Sequence, residues 1–258
     1  MGRRFDTVID RLVHRAALRR WRRAADAAAA AVDPATLRLL RGRGRALRRQ
    51  IDRLLHVAED RLRLPMIGST AMRRPLGTDW SWRPDLWRLP APLPGMAPAP
   101  PRAEIAPGAT LFHDCRDSEI TLRQIRTTGE ADLAPYGLRI EVFGFDGRFL
   151  SLVLDLPDAA AQGLQKRHLI RLETALDLER PMRIYARLNV RHGPNTEQIV
   201  RELPPGEVAP VVEFDLGYTA IDEARVDRLW LDLIFDAPRM NRVLLRDLTL
   251  GRRPRAEV

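Results

Sequence analysis

Residues 183–191, RIYARLNVR, decide how the rest of the sequence is interpreted, because apolar and polar residues alternate through them without a break. Successive side chains of a β-strand point to opposite faces, so this pattern predicts a strand with one buried and one exposed face. The residues predicted to face the core are Ile184, Ala186, Leu188 and Val190. Those predicted to face outward are Arg183, Tyr185, Arg187, Asn189 and Arg191.

The same two-residue period continues on both sides of this strand. Residues 139–156 contain two alternating runs around Asp146-Gly147, a dipeptide typical of hairpin turns, and we predict a β-hairpin there. Further strands are predicted at residues 109–113, 119–125, 167–177, 196–202, 208–216, 228–236 and 242–250. Many short strands without long helices between them predict an antiparallel, jelly-roll-like β-sandwich over residues 108–258.

The first 64 residues follow a different period. Apolar residues recur at steps of three and four along residues 3–32 and again up to residue 62, which predicts two amphipathic helices. Asp33 can cap the second helix, and Pro34 suits its first position. Residues 1–64 are therefore predicted to form a basic helical hairpin, and the fold class of the whole chain is α+β.

Residues 65–107 are predicted to be a connector, because they contain ten prolines, which disfavour helices and central strands. The connector also holds Trp80, Trp82 and Trp87. These indoles have two possible roles. They either clamp the connector onto the body, which is the sandwich of residues 108–258, or contact a partner or stack on sugar rings. In the second case Trp21 of the arm, the helical hairpin of residues 1–64, would take part as well.

Charge is distributed unevenly along the chain. Residues 1–88 contain 21 Arg against 9 acidic residues, a net charge of +12, whereas residues 89–258 carry a net charge of −3. The composition of the arm resembles that of interfacial membrane helices, since four arginines flank Trp21. Nucleic acid is not the expected partner, because no recognised nucleic-acid-binding motif accompanies the charge.

The sequence contains no motif that predicts catalysis or a cofactor. Cys115 is the only cysteine, which excludes an internal disulfide and a four-cysteine zinc site. His113, Asp114 and Cys115 are adjacent, but neighbours along a strand point to different sides and cannot form a relay. The five histidines show no metal-ligand spacing. We therefore expect a non-catalytic protein without a bound metal, although composition leaves a structural calcium site open.

The outward row on residues 183–191 is the candidate ligand face. Its mixture of arginine, tyrosine and asparagine suits a saccharide, and jelly rolls often bind carbohydrate. A solvated antiparallel sheet has the same composition by default, so both interpretations stay open.

Two segments, DWSWRPDLW at residues 79–87 and WLDLIFDAPRMNRVLLRDLTLGRRPRAEV at residues 230–258, resemble an alphaproteobacterial family. The resemblance extends to the head-spike base proteins of gene transfer agents, which are phage-like particles. It implies a structural adaptor that docks on the capsid protein at a vertex and carries a spike-fibre protein, which attaches to capsular polysaccharide. No individual residue role carries over.

The expected function is thus a non-catalytic adaptor, as a homo-oligomer, on the surface of a virion-like particle. The alternative is a carbohydrate-binding module that recognises surface polysaccharide. No stretch has the apolar core of a signal peptide or the length of a membrane span, which predicts cytoplasmic synthesis without classical export.

Overall fold

The computed structural model describes residues 8–29, 33–62, 72, 74–127 and 133–255. The chain divides into two compact units, Met1–Ile51 and Asp52–Val258. Helix α1 spans Val8–Ala29 and belongs to the first unit. Helix α2 spans Pro34–Leu62, so it begins in the first unit and ends after residue 51. The predicted helical residues 3–7 and 30–32 lie outside the described part of the chain.

The turn between the helices follows the prediction. One carboxylate oxygen of Asp33 accepts hydrogen bonds from the backbone N–H groups of Ala35 and Thr36 at 2.9 and 3.0 Å, so Asp33 caps α2. Further along, the ring of Trp21 lies against Gly44, where an added Cβ would be 3.7 Å from ring atom Cζ3. This contact brings α1 and α2 together as a hairpin.

The second unit is a two-layered antiparallel β-sandwich, which confirms the predicted fold class. A short helix, α3, spans Asp85–Arg88. The strands in the described residues are β1 (Trp80–Trp82), β2 (Gly95–Met96), β3 (Arg102–Ala106), β4 (Ala109–His113), β5 (Ile120–Arg126), β6 (Tyr136–Val142), β7 (Leu150–Asp155), β8 (His168–Leu178), β9 (Ile184–His192), β10 (Asn195–Glu202), β11 (Val211–Asp215), β12 (Val226–Phe235) and β13 (Asn241–Pro254).

The chain passes repeatedly from one sheet to the other. The first sheet has the strand order β11-β8-β13-β6-β5-β2, and β1 also pairs with β13. The second has the order β10-β9-β12-β7-β4-β3. Consecutive strands such as β7 and β8, or β12 and β13, therefore lie in different sheets, as a jelly-roll-like sandwich requires.

Each sheet buries alternate side chains against the other sheet. In the six-stranded sheet, β9 contributes Ile184, Ala186, Leu188 and Val190, all at most 2% exposed, as the alternation predicted. The opposing sheet supplies leucine, isoleucine and phenylalanine side chains of similar burial. These are Leu122, Leu138, Ile140, Leu172, Phe214, Leu245 and Leu248. The sandwich core is thus continuous and almost wholly aliphatic.

The predicted hairpin over residues 139–156 is wrong. Its two strands exist as β6 and β7, but β6 pairs with β5 and β13, whereas β7 pairs with β4 and β12 in the other sheet. The segment containing Asp146-Gly147 instead connects the two sheets. In it, Asp146 accepts a hydrogen bond from the backbone N–H of Arg116 at 3.2 Å. Alternation showed which face of each strand is buried but not which strand lies beside it.

The predicted connector contains more regular structure than its prolines suggested. Within residues 65–107 lie β1, β2, β3 and α3, while residues 65–71 and 73 are outside the described part. The Gln124 side chain donates to the carbonyls of Leu86 and Leu89 at 2.6 and 2.8 Å and accepts from the N–H of Ala91 at 2.7 Å. Residues 80–106 are therefore part of the sandwich.

Candidate functional site

Four of the five residues predicted to face outward, Tyr185, Arg187, Asn189 and Arg191, lie on β9 and on the outer face of the six-stranded sheet, and Arg183 immediately precedes this strand. The cross-strand register places Trp230 of β12 and Gln198 of β10 on either side of Asn189. It also places Asp232 of β12 directly opposite Arg187. This face brings together side chains from three strands, and two of them, Arg187 and Asp232, are 45 residues apart in the sequence.

A chain of hydrogen-bonded polar side chains crosses the middle of the face. Arg187 donates to one carboxylate oxygen of Asp232 from Nε and from a terminal nitrogen, at 2.7 and 2.6 Å. Asn189 donates its amide N–H to the same oxygen at 3.1 Å. The Gln198 amide in turn donates to the Asn189 carbonyl at 3.0 Å. We call these four residues the polar row.

Burial within the polar row is uneven. Asn189 is 0% exposed and Asp232 is 2% exposed, although both lie on the outward side of their strands. The side chain of Arg187 keeps 35% of its surface exposed. The Asn189 amide therefore helps to fix the Asp232 carboxylate, which in turn holds the Arg187 guanidinium with two of its five N–H groups.

Three half-buried aromatic side chains share this face. Phe112, Ser151, Ile234 and Tyr185 are successive cross-strand neighbours from β4 to β9. With about 4.8 Å between strands, Tyr185 and Phe112 lie roughly 14 Å apart in one row. Trp230 lies beside the polar row, with the Arg228 guanidinium 5.3 Å from its ring centroid.

Two further ion pairs lie on this face. Arg228 donates to Asp155 at 2.5 Å, and Arg191 donates to Asp227 at 2.8 Å. The Arg191 guanidinium hydrogen bond lowers the pKa of the Asp227 carboxyl below its usual value. These pairs fix long side chains at the rim of the face and leave it little net charge.

The candidate tryptophans lie in three different environments. Trp87 is 0% exposed and donates its indole N–H to the Leu245 carbonyl at 3.0 Å, so its side chain belongs to the sandwich core. Trp80 and Trp82 are half-buried and pack against the same core beside β13. These three side chains therefore pack onto the sandwich, and partner binding by the tryptophans stays a prediction. Trp21 is half-buried in the arm.

The adjacent histidine, aspartate and cysteine do not form a relay. His113 Nδ1 accepts from the backbone N–H of Cys115 at 3.2 Å, and Nε2 faces the Ala99 carbonyl at 3.2 Å. The Asp114 carboxylate accepts instead from Arg148 and Phe149. Burial raises the pKa of the Cys115 thiol, which disfavours the reactive thiolate.

The alternation on β9 did not identify Trp230, Asp232, Gln198 or Phe112. Asp232 is buried near the centre of the sheet, directly opposite Arg187. Alternation does predict that these four residues face outward on neighbouring strands. Only the cross-strand register, however, shows that they lie beside the outward residues of β9. Among the described residues, no group of three or more His, Cys, Asp or Glu side chains is arranged to hold a metal ion.

Similar solved structures include the enzymatically active domain of bacteriophage CBA120 tailspike protein 4, with 9% identity and a TM-score of 0.40, over 55% of this chain and 19% of that one. A Clostridium thermocellum xylanase 10B structure with xylohexaose shows 8% identity and a TM-score of 0.38, over 58% and 27%. A family 11 carbohydrate-binding module from Clostridium thermocellum, in complex with a mixed-linked tetrasaccharide, shows 12% identity and a TM-score of 0.37, over 58% and 91%. The matched region spans less than a third of the first two chains.

These likenesses assign no function to this chain, since identity is at most 12% in all three. No curated protein sequence matches it. The resemblance to head-spike base proteins is not tested by these findings and stays a prediction. A family model matches residues 1–258, the entire sequence, and the chain therefore belongs to the family of unknown function DUF6478.

Proposed function

We propose that this protein binds a polysaccharide on the outer face of its six-stranded sheet. The observation that carries the proposal is the polar row, whose Asn189 and Asp232 are buried on a face that would otherwise be an ordinary solvated surface. Burying an amide and a carboxylate is costly unless their hydrogen bonds are satisfied. Here their bonds orient Arg187 and Gln198, which reduces the entropy cost of binding a ligand.

The surroundings of the polar row suit sugar rings. Tyr185 lies two residues before Arg187 on β9, and Trp230 lies directly across from Asn189 on β12. Both side chains combine an apolar ring with a polar atom at its edge. Sugars present apolar C–H faces together with hydroxyl groups that donate and accept hydrogen bonds. Guanidinium and amide groups beside aromatic rings can contact both kinds of surface. Because the face carries mostly paired charges, hydrogen bonding and stacking are the expected sources of affinity.

The proposal is one of binding without turnover. Its residues hold and orient a ligand, and the chemically capable His113 and Cys115 are engaged in the local structure of another part of the sandwich. A purified sample that hydrolyses the polysaccharide it binds would contradict this part of the proposal.

The test is affinity electrophoresis of the full chain through gels containing a panel of neutral and uronic-acid polysaccharides. At least one polymer should retard the protein, and Tyr185→Ala and Trp230→Ala should each weaken binding about tenfold or more. Tyr218→Ala is the matched control, since Tyr218 is 81% exposed and lies next to β11, an edge strand of the other sheet. Failure of every polymer to bind, or equal binding by all three variants, would exclude the face.

The adaptor role predicted from the resemblance remains a separate proposal. Neither the family nor the similar structures link this chain to capsid or fibre proteins. The same holds for the homo-oligomer and for the location on a virion-like particle. Purified particles that lack this protein, or spikes that form normally after its gene is deleted, would exclude that role.

A further inference from the structure

The helical hairpin leaves much of its apolar face uncovered within the described residues. On α2 the apolar stripe runs through Leu37, Leu40, Gly44, Leu47, Ile51 and Leu54, at alternating steps of three and four. Trp21 covers the stripe around Gly44. Beyond this contact, Leu47, Ile51 and Leu54 are 40%, 46% and 67% exposed. Contiguous exposed leucine and isoleucine of this kind mark an interaction surface.

Arginines occupy the other side of the same helix. At about 100° per residue, Arg38, Arg45 and Arg49 lie nearly opposite Leu47 and Leu40. The helices α1 and α2 carry net charges of +4 and +5. The hairpin thus combines an uncovered apolar stripe with a strongly basic polar side.

We propose that the helical hairpin docks on an anionic phospholipid surface, with the apolar stripe in the acyl boundary and the arginines at the level of the headgroups. An interfacial helix needs both features, because apolar burial and attraction to anionic lipid add to each other. No helix in the described residues is long and apolar enough to cross a membrane, so the hairpin would lie on the surface.

The same features disfavour the other occupants. A second copy would bring two strongly basic hairpins together, and their mutual repulsion would oppose association. Nucleic acid would pair with the arginines but would leave Leu47, Ile51 and Leu54 in water.

The experiment is co-sedimentation of the full chain with vesicles of phosphatidylcholine alone or with about one-third phosphatidylglycerol. Binding is expected only to the anionic vesicles. The variant Arg38→Gln/Arg45→Gln/Arg49→Gln should bind about a hundredfold more weakly, since each arginine near an anionic surface contributes roughly a fivefold factor. Binding should also weaken steeply in about 0.5 M salt.

The apolar contribution is tested by Leu47→Gln/Ile51→Gln/Leu54→Gln, which should also abolish vesicle binding. The matched control is Leu93→Gln/Val208→Gln, which replaces residues of the body that are 55% and 57% exposed and should leave binding unchanged. Circular dichroism checks that each variant keeps its helix content. Duplex DNA is the probe for the nucleic-acid alternative. The proposal is overturned if the Leu47→Gln/Ile51→Gln/Leu54→Gln variant binds vesicles like the parent, if the protein binds neutral vesicles equally well, or if it binds duplex DNA but no vesicles.

This proposal is independent of polysaccharide binding. Tyr185→Ala and Trp230→Ala should retain vesicle binding in full, so each of the two proposals can fail alone.

Discussion

Replacing Trp87 tests whether the proline-rich segment is part of the cooperative core. Trp87 is 0% exposed, and its indole N–H donates to the carbonyl of Leu245 in β13 at 3.0 Å. Truncation of a buried tryptophan to alanine costs about 3–5 kcal/mol, because transfer energy is lost and a cavity remains. The lost hydrogen bond contributes about 1 kcal/mol of this. We expect Trp87→Ala to lower the free energy of unfolding by about 4 kcal/mol.

Trp87→Phe separates packing from hydrogen bonding. Phenylalanine keeps most of the ring contacts but leaves the Leu245 carbonyl without its indole donor, so a loss of about 1–2 kcal/mol is expected. Leu93→Ala in the same segment should change stability by less than about 0.5 kcal/mol, because Leu93 is 55% exposed.

Urea unfolding followed by fluorescence of Trp80, Trp82 and Trp230, which all lie in the sandwich, measures these differences. The dependence of the free energy on urea should stay the same, so that the midpoint alone moves. If Trp87→Ala shifts the free energy by less than about 1 kcal/mol, the segment is only loosely attached. Loosening of residues 80–106 towards protease, with an unchanged main transition, would contradict the reasoning in the same way.

Two further predictions concern the arm and a buried histidine. Gly42→Ala and Gly44→Ala should each stabilise α2 by about 1 kcal/mol. An added Cβ has room, since it meets nothing within 4 Å at Gly42 and only the Trp21 ring, at 3.7 Å, at Gly44. An unchanged melting temperature of the helical circular dichroism signal would contradict this. Burial, followed by the charge of Arg252, lowers the pKa of His168 from its ordinary value of 6.5. As the pH falls, the unfolded chain therefore binds the proton before the folded chain does. The stability that depends on neutral His168 is fully present above pH 6.5 and is lost as the pH falls from 6.5 through the lowered pKa of the folded protein. Urea midpoints between about pH 7.5 and about pH 5.5 should fall less in His168→Gln than in the parent.

Most strands of the sandwich could be predicted because a two-residue period depends only on which side of the strand is buried. The predicted ranges 109–113 and 196–202 correspond to β4 and β10, and 183–191 differs from β9 by one residue at each end. Strands β1, β2 and β3 were missed, since prolines and tryptophans interrupt the period there. β3 lies at a sheet edge, where neighbouring prolines are tolerated.

Strand pairing was predicted less well, for a physical reason. The hairpin expected between residues 139 and 156 followed from Asp146-Gly147, a local feature that favours a tight turn. In a two-sheet core, however, a strand that follows in sequence can bury its apolar side equally well from the opposite sheet. β6 and β7 lie in different sheets, and both bury their apolar sides in the core between them. The prediction of which side of each strand is buried was therefore right, whereas the prediction that the two strands pair with each other was wrong.

The candidate site shows the same limit at the level of single residues. Arg187 and Asn189 could be placed on an outer face from alternation, but their partner Asp232 lies 45 residues after Arg187 in another strand. An aspartate at an outward position of a predicted strand does not by itself indicate a buried ion pair. Only the strand register shows that Asp232 lies opposite an arginine. A register shifted by two residues would place Trp230 opposite Arg187 instead, and the buried carboxylate would lose the guanidinium that neutralises it. The polar row therefore depends on the pairing of β9 with β12, which is set by the whole core and not by either strand alone.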